Sequence, residues 1–147
     1  MENQKGVLFD DIFEVVEVDP DKKKFDKVSR FYCRSYLYEM SLIIDINVDV
    51  YPVSVGEKLS LMMASTLHDD GTPSSGNYDP GLYSVQTRMD TFDYVCYGKI
   101  FKLRDTNDMK VEVFASFGGL IVKLEGDPRK LTNLEMDANV YLLVRKV

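Results

Sequence analysis

Hydrophobic and polar residues alternate with a period of two along much of the chain. The clearest case is Leu42–Val50, where every second residue is apolar and the positions between include Asp45, Asn47 and Asp49. This period places one face of a β-strand in a core and the other in water. The pattern predicts a half-buried strand that ends before Pro52, because proline cannot donate to a ladder.

The next alternating segment predicts a neighbouring strand. Leu59, Leu61 and Met63 alternate with smaller or polar residues, and Gly56 separates them from the preceding strand. This arrangement predicts that the two strands pair as antiparallel neighbours across a short connection. The first apolar segment, residues 8–18, fits either a helix or a strand, and we assign it as a strand because the turn signal Asp19-Pro20 follows it.

Further strand patterns bring the total to about eight, with almost no helix. Within Phe25–Ser35, one face carries Ser29, Phe31, Cys33 and Ser35, and the other carries Val28, Arg30, Tyr32 and Arg34. Gly118-Gly119 can form a two-residue hairpin or a bulge because glycine adopts positive φ freely. Pro128 predicts a short helical turn within Asp127–Glu135. The remaining strands are expected at Asp93–Leu103, Val111–Phe117, Leu120–Glu125 and Val140–Lys146.

Eight strands and 147 residues favour one domain, residues 1–147, with an all-β fold. Eight strands can close into a barrel whose interior is just filled by side chains, and closure removes exposed edges. A β-sandwich is the competing arrangement, which periodicity alone does not exclude. The segment His68–Asp90 is rich in glycine, proline and serine, so we expect a long mobile surface loop there.

Composition and sequence motifs argue against several classes of protein. The net charge of −6 lacks the basic excess usual in free-standing nucleic-acid binders. The N-terminus has no apolar signal core and no apolar run approaches 18 residues, so we expect an intracellular, soluble protein. Cys33 and Cys96 are expected to be free thiols, and two cysteines with one histidine do not form a zinc site.

The sequence contains partial matches to a calcium-binding loop and a possible catalytic histidine, and both lack required residues. Asp45, Asn47 and Asp49 match the start of a calcium loop, but Val50 and Gly56 stand where glycine and a bidentate glutamate are required. A solvent-facing strand edge explains the three polar residues. His68 has no nucleophile with a local signature nearby, so we predict no catalytic residue, no metal site and no cofactor.

One basic patch lies within residues 19–36. It has a net charge of +3, with phenylalanine and tyrosine interleaved, in the pattern by which proteins grip single-stranded nucleic acid without sequence preference. A solvated strand with its rings in the core, or contact with an acidic protein, would use the same residues. The predicted weak, non-specific nucleic-acid contacts are Lys22, Lys23, Lys24, Lys27, Arg30 and Arg34.

Several short blocks, in the same order over nearly the whole chain, resemble one family: the eighth subunit shared by nuclear RNA polymerases I, II and III. The resemblance weakens within residues 68–90 and 104–112. The blocks are Leu8–Phe13, Val18–Pro20, Phe25–Arg30, Asp45–Val48, Tyr51–Val53, Asp93–Gly98 (except position 96), Ser116–Leu120, Leu124–Gly126 and Val140–Leu143.

The resemblance implies an eight-stranded antiparallel barrel related to the OB-fold, with a disordered loop at about His68–Asp90. It implies a non-catalytic subunit docked on the largest subunit of each polymerase, in the nucleus including the nucleolus. In this family, weak single-strand binding is associated with the region matching Asp19 to about Leu42.

Within this interpretation, the docking surface is expected around three aromatic residues, near glycines where a partner backbone could approach. These residues are Tyr94, Tyr97, Gly98, Phe117, Gly118 and Gly119. Two other hypotheses stay open: an autonomous single-strand nucleic-acid binder of the OB type and, less favoured, a barrel that encloses a small ligand.

Overall fold

The computed structural model describes residues 6–19, 27–35, 39–67, 91–106 and 109–147. The expected loop at 68–90 lies outside these ranges. Eight antiparallel strands close into a barrel in the order β1-β2-β3-β7-β6-β5-β8-β4, which confirms the barrel rather than the sandwich. The strands are β1 Val7–Val18, β2 Val28–Ser35, β3 Ser41–Asn47, β4 Lys58–Ala64, β5 Tyr94–Asp105, β6 Val111–Phe117, β7 Leu120–Gly126 and β8 Asn139–Lys146.

Strand β1 is long enough to pair with two neighbours. It pairs with β4 from Val7 to Glu14 and with β2 from Phe13 to Val18. The register with β2 shifts between Val15 and Glu17, a bulge that bends the strand. The assignment of this segment as a strand is therefore confirmed, because tertiary pairing overrides its helix-like stripe.

The expected pairing of β3 with β4 is wrong. Strand β3 lies between β2 and β7, whereas β4 lies between β1 and β8. Residues 48–57, which connect β3 to β4, meet β1: Gly56 donates its N–H to the carbonyl of Val15, and Val15 donates to the carbonyl of Glu57. The connection thus carries the chain to the far side of β1, and no tight hairpin forms.

Strand β3 is also shorter than its alternating pattern. It ends at Asn47, whose carbonyl accepts the N–H groups of Val50 and Tyr51 at 3.1 and 2.9 Å. The Asn47 side chain accepts the Asp49 N–H at 3.1 Å, which closes a turn of the kind that asparagine favours. Local side-chain bonding therefore ends the ladder three residues before the alternation does.

The barrel interior is packed with apolar side chains from all eight strands. On β2, Phe31 and Cys33 are buried together with Ser29 and Ser35, which confirms that these four residues share one face and shows that this face points inward. The core residues that have no exposed surface include Phe13, Leu42, Ile44, Ile46, Leu59, Leu61, Met63, Ile100 and Leu124. The interior is thus occupied by core side chains, as expected of an eight-stranded barrel.

Two local features match their sequence signals. Gly118 and Gly119 have φ of +65° and +96° between the paired residues Phe117 and Leu120, so they form the predicted two-residue hairpin. Pro128–Lys130 forms a single 3-10 turn, capped by Asp127, whose carboxylate accepts the Arg129 N–H at 2.9 Å. Among the described residues, no helix has the length and apolarity needed to cross a membrane.

Candidate partner-docking surface

Arg30, from the predicted nucleic-acid patch, is held by an ion pair. Its Nε lies 2.7 Å from Oδ1 of Asp45 and its Nη2 lies 3.1 Å from Oδ2. The same carboxylate accepts the Ile121 N–H at 3.0 Å. The β3–β7 ladder ends at Ile44, so Asp45 satisfies a β7 donor that backbone pairing leaves free.

The surroundings of Asp45 correct the expectation of a solvent-facing carboxylate. Its side chain is only 9% exposed, because Arg30 and β7 cover it. A buried charge of this kind requires a partner. Arg30 is that partner, and it also remains 41% exposed.

The rest of the basic patch is only partly described. Lys27 and Arg34 are exposed. Lys22, Lys23 and Lys24 lie outside the described residues. Binding of nucleic acid by this patch stays a prediction.

The three predicted docking aromatics have different environments. Tyr94 and Phe117 belong to the core, with 7% and 5% of their surface exposed. Tyr94 stacks on Tyr51 at 5.3 Å, and burial raises its pKa to about 12. Tyr97 is 46% exposed and packs on Tyr141 of β8 at 4.6 Å. Of these three aromatic side chains, Tyr97 presents the largest surface to a partner.

The three predicted docking glycines are explained within the barrel. A Cβ on Gly98 would collide with the carbonyl oxygen of Ser116 and with Phe117, so β5 and β6 approach too closely there for a side chain. Gly118 and Gly119 face open space and are required by their positive φ. A partner backbone is not needed to account for any of these glycines, and their role in docking stays a prediction.

Beyond Tyr97, β5 continues into an exposed stretch that sequence reasoning missed. We name Phe101–Asp105 the β5 arm. Phe101 and Leu103 are 42% and 40% exposed, and the Phe101 ring packs on Phe114 of β6 at 6.1 Å. Phe101-Lys102-Leu103-Arg104 alternates apolar and basic residues, which predicts a strand but does not predict that its apolar side chains are exposed.

A buried carboxylate organises the charges beside the β5 arm. Glu112 of β6 is 3% exposed and lies 2.7 Å from Nζ of Lys123 and 2.6 Å from Nε of Arg104. Hydrogen bonding to Lys123, together with Arg104, holds the pKa of Glu112 below its usual value. Lys102 and Lys123 also lie over the ring of Phe114, at 5.4 and 5.9 Å from its centroid. The outer face of β5–β7 is therefore aromatic and cationic.

The described residues also contain a surface groove of about 550 Å³ between the 39–40, 109–110 and 127–130 segments. Of its two acidic residues, Glu39 and Asp127, the second is engaged by Arg129, with Nη2 2.8 Å from Oδ2. No group of three or more His, Cys, Asp or Glu side chains in the described part of the chain could hold a metal ion.

Comparison with known proteins gives consistent matches over nearly the full length. The family model RNA polymerase Rpb8 matches residues 10–146. The subunit rpabc3 of RNA polymerases I, II and III from Dictyostelium discoideum is 53% identical, over 96% of this chain and 98% of that protein. Subunit 8B of RNA polymerases II, IV and V from Arabidopsis thaliana is 45% identical, over 96% of this chain and 97% of that protein. The subunit RPABC3 of RNA polymerases I, II and III from Saccharomyces cerevisiae is 37% identical, over 96% of this chain and 99% of that protein. The chain therefore belongs to the RNA polymerase Rpb8 family.

Proposed function

We propose that this chain is a non-catalytic structural subunit common to nuclear DNA-directed RNA polymerases I, II and III. It supports transcription by docking on the largest subunit of each enzyme, in the nucleus including the nucleolus. The observation that carries this proposal is the near full-length similarity to proteins named as subunits shared by these polymerases. The packed barrel interior supports it, because apolar side chains fill the inside and leave the exterior for binding.

The test is recovery of assembled polymerases through this chain. A tagged chain expressed in its own cells should co-purify, in equal molar amount, with the largest subunits of all three nuclear polymerases. A tagged unrelated barrel protein of similar size and charge is the control. Recovery without any polymerase largest subunit would overturn the proposal, and recovery with one polymerase alone would overturn its shared character.

The predicted docking residues need substitutions that preserve the barrel. Valine at Gly118 would strain a residue with φ +65° and would confound docking with folding. Gly118→Asn is the better variant, because asparagine tolerates this conformation in a two-residue hairpin. Tyr97→Ala tests the neighbouring aromatic surface, and Tyr32→Ala on β2 is a control outside the predicted docking set. If Tyr97 takes part in docking, Tyr97→Ala lowers polymerase recovery and Tyr32→Ala does not; equal recovery from both variants would exclude Tyr97.

Weak, non-specific binding of single-stranded nucleic acid is the second candidate function. The exposed side chains of Lys27 and Arg34 support it, whereas the pairing of Arg30 with Asp45 weakens it. If the patch binds, the affinity of the isolated chain for oligothymidylate falls with salt, with a log–log slope of about −0.7 per phosphate contacted. The double variant Lys27→Glu/Arg34→Glu should then lose binding, and Lys58→Glu on β4 is the control. A dissociation constant above about 10⁻⁴ M, weaker than the usual range for non-specific binding, would exclude this function.

A further inference from the structure

In the part of the chain that the structure describes, the β5 arm pairs with a strand on one side only. Strand β8 pairs with β5 from Tyr94 to Lys99 and stops there. Ile100 is still bonded, because its N–H donates to Ala138 and its carbonyl accepts from Asp137 at 3.0 and 2.9 Å. From Phe101 onward, β6 is the sole strand beside β5 among the described residues. Within the described ranges, an open sheet edge therefore begins where β8 ends.

The register identifies which backbone groups face this edge. In an antiparallel ladder, bonded and non-bonded pairs alternate. Thr106 donates its N–H to the carbonyl of Lys110, so the next pair, Asp105 with Val111, is non-bonded, and so is Leu103 with Val113. The N–H and C=O groups of Leu103 and Asp105 consequently point away from β6. In the described part of the chain, these groups have no hydrogen-bond partner.

The β6–β7 ladder independently gives the same alternation of bonded and non-bonded pairs between β5 and β6. The two-residue hairpin makes Phe117 and Leu120 a bonded pair, so β6 bonds to β7 through Phe117, Ala115 and Val113. A β6 residue that bonds to β7 cannot also bond to β5. Val113 is therefore turned away from β5, in agreement with the open edge assigned to Leu103.

The side chains along the edge define what would pair with it. Leu103 lies opposite Val113, a core residue, so it is on the inner face, and its 40% exposure marks the uncovered edge of the barrel. Lys102 lies on the outer face over Phe114, and no carboxylate among the described residues is within ion-pair distance of it. A strand beside the arm would need an apolar side chain to cover Leu103 and an acidic one beside Lys102.

On this basis we infer that the β5 arm receives an extended segment of a partner protein as an additional strand, continuing the position that β8 leaves at Lys99. The segment carries alternating acidic and apolar side chains. Main-chain hydrogen bonds to Leu103 and Asp105 would provide affinity. Lys102 would provide specificity by pairing with an acidic side chain of the segment. This inference rests on the proposed function, which makes a segment of the largest polymerase subunit the occupant.

Two other occupants fit the edge less well. A nucleic-acid strand could contact Lys102, but it has no peptide groups to pair with the N–H and C=O groups of Leu103 and Asp105. A second copy of this chain would bring one edge against its equivalent, with Lys102 and Arg104 near their counterparts, and like charges across strands destabilise pairing. Lysine on an open edge is a known means of discouraging such self-association.

The decisive variant is Leu103→Pro, compared with Leu103→Val. Proline removes the outward N–H of residue 103, while the bonds to β6 remain because that pair is non-bonded. Valine retains both the N–H and an apolar side chain. We expect Leu103→Pro to lower recovery of the largest subunit about tenfold, a loss of the size expected when one or two interface hydrogen bonds are removed, and Leu103→Val to match wild type.

Amide hydrogen exchange on the unmodified chain gives a second readout that does not depend on how the proline variant folds. In the isolated chain, the amides of Leu103 and Asp105 should exchange quickly. In the assembled polymerase they should be protected at least tenfold more strongly. Unchanged exchange on assembly, slow exchange in the isolated chain at every concentration, or protection by oligothymidylate alone would overturn the inference.

Different outcomes would refute the subunit role and the added strand. If the wild-type chain does not recover the largest subunit, the proposed function fails. If the wild-type chain recovers it, Leu103→Pro does so equally and the arm amides stay exposed, the subunit role stands and the added strand is refuted. If protection of the arm rises with concentration of the isolated chain, the edge pairs with a second copy and the assigned occupant is wrong.

Discussion

The β4–β8 side of the barrel and the β5 arm differ in how far their apolar side chains are covered. Strand β4 is paired on both sides, with β1 and β8. Its outward residue Met62 and Leu143 of β8 are 8% and 0% exposed, because they pack with Leu67 in a second apolar cluster. On the β5 arm, Phe101 and Leu103 remain at least 40% exposed, and one edge has no neighbouring strand among the described residues.

This difference separates residues that hold the barrel together from residues that are available to a partner. A buried outward side chain such as Leu143 contributes to the stability of the isolated chain. An exposed one on an open edge contributes little until something covers it. Local stability should follow the same division, since regions with few buried contacts open first. Substitutions in the two regions should therefore differ in what they change.

The largest effect is expected from Phe13→Ala in the closed part of the barrel. Phe13 has no exposed surface and lies where β1 pairs with both Ser35 of β2 and Leu59 of β4. Truncation should lower the free energy of unfolding by about 3–5 kcal/mol, from lost burial and the cavity left behind. Urea unfolding measures this, and a cost below about 1.5 kcal/mol would mean that the closed region does not dominate stability.

Gly98→Ala tests the tight packing between β5 and β6, before the arm begins. The added Cβ meets the backbone oxygen of Ser116, which cannot move away without disturbing the ladder. We expect a loss of about 1–3 kcal/mol, the usual cost of overpacking. Lys99→Ala, at the next and exposed position, should change stability by less than about 0.5 kcal/mol. Equal effects of the two substitutions would show that β5 and β6 can separate locally.

Glu112→Gln tests the charge cluster beside the β5 arm. Breaking the contacts of Glu112 with Lys123 and Arg104 should cost about 1–2 kcal/mol at neutral pH, since Arg104 is largely exposed and the interaction is screened. Glu125→Gln on the neighbouring strand β7 is the matched control, with a smaller expected loss.

The cost of Glu112→Gln should also depend on pH. The pKa of Glu112 is lower in the folded than in the unfolded chain, so its carboxylate stabilises the fold above the unfolded value of about 4.3. That contribution disappears as the pH falls through the lowered folded pKa. The difference between wild type and Glu112→Gln should therefore be largest above about pH 5 and shrink in acid. A difference that grows in acid would contradict the assigned charge state.

The sequence predicted local structure well and strand neighbours less well. Alternation alone divided the residues of β2 correctly between its two faces, and the Gly118-Gly119 pair predicted a hairpin or a bulge at the position of the observed hairpin, because both signals act within a few residues. The β3–β4 pairing was wrong because it depends on how β1 bends and on where residues 48–57 cross Val15. Such long-range geometry has no local signature.

The candidate surface shows the same division. Gly98 stood out as a docking residue because glycine in a strand marks a close approach, but the approaching group is Ser116 of the same chain. Asp45 was expected in water because it follows the polar phase of its strand, yet Arg30 covers it. Exposure on the β5 arm depends on the length of β8, which no property of residues 101–105 reveals.

The smallest effect on stability is expected from Leu103→Ala on the β5 arm. Leu103 has the same side-chain chemistry as Leu61 of β4, and the two differ in exposure, 40% against none. Leu61→Ala should cost about 2–5 kcal/mol, whereas Leu103→Ala should cost less than about 1 kcal/mol, because much of its surface is already in water. Urea unfolding of the two variants measures the difference directly. Comparable costs would mean that the arm packs as tightly as the closed barrel, which would leave no open edge for a partner strand.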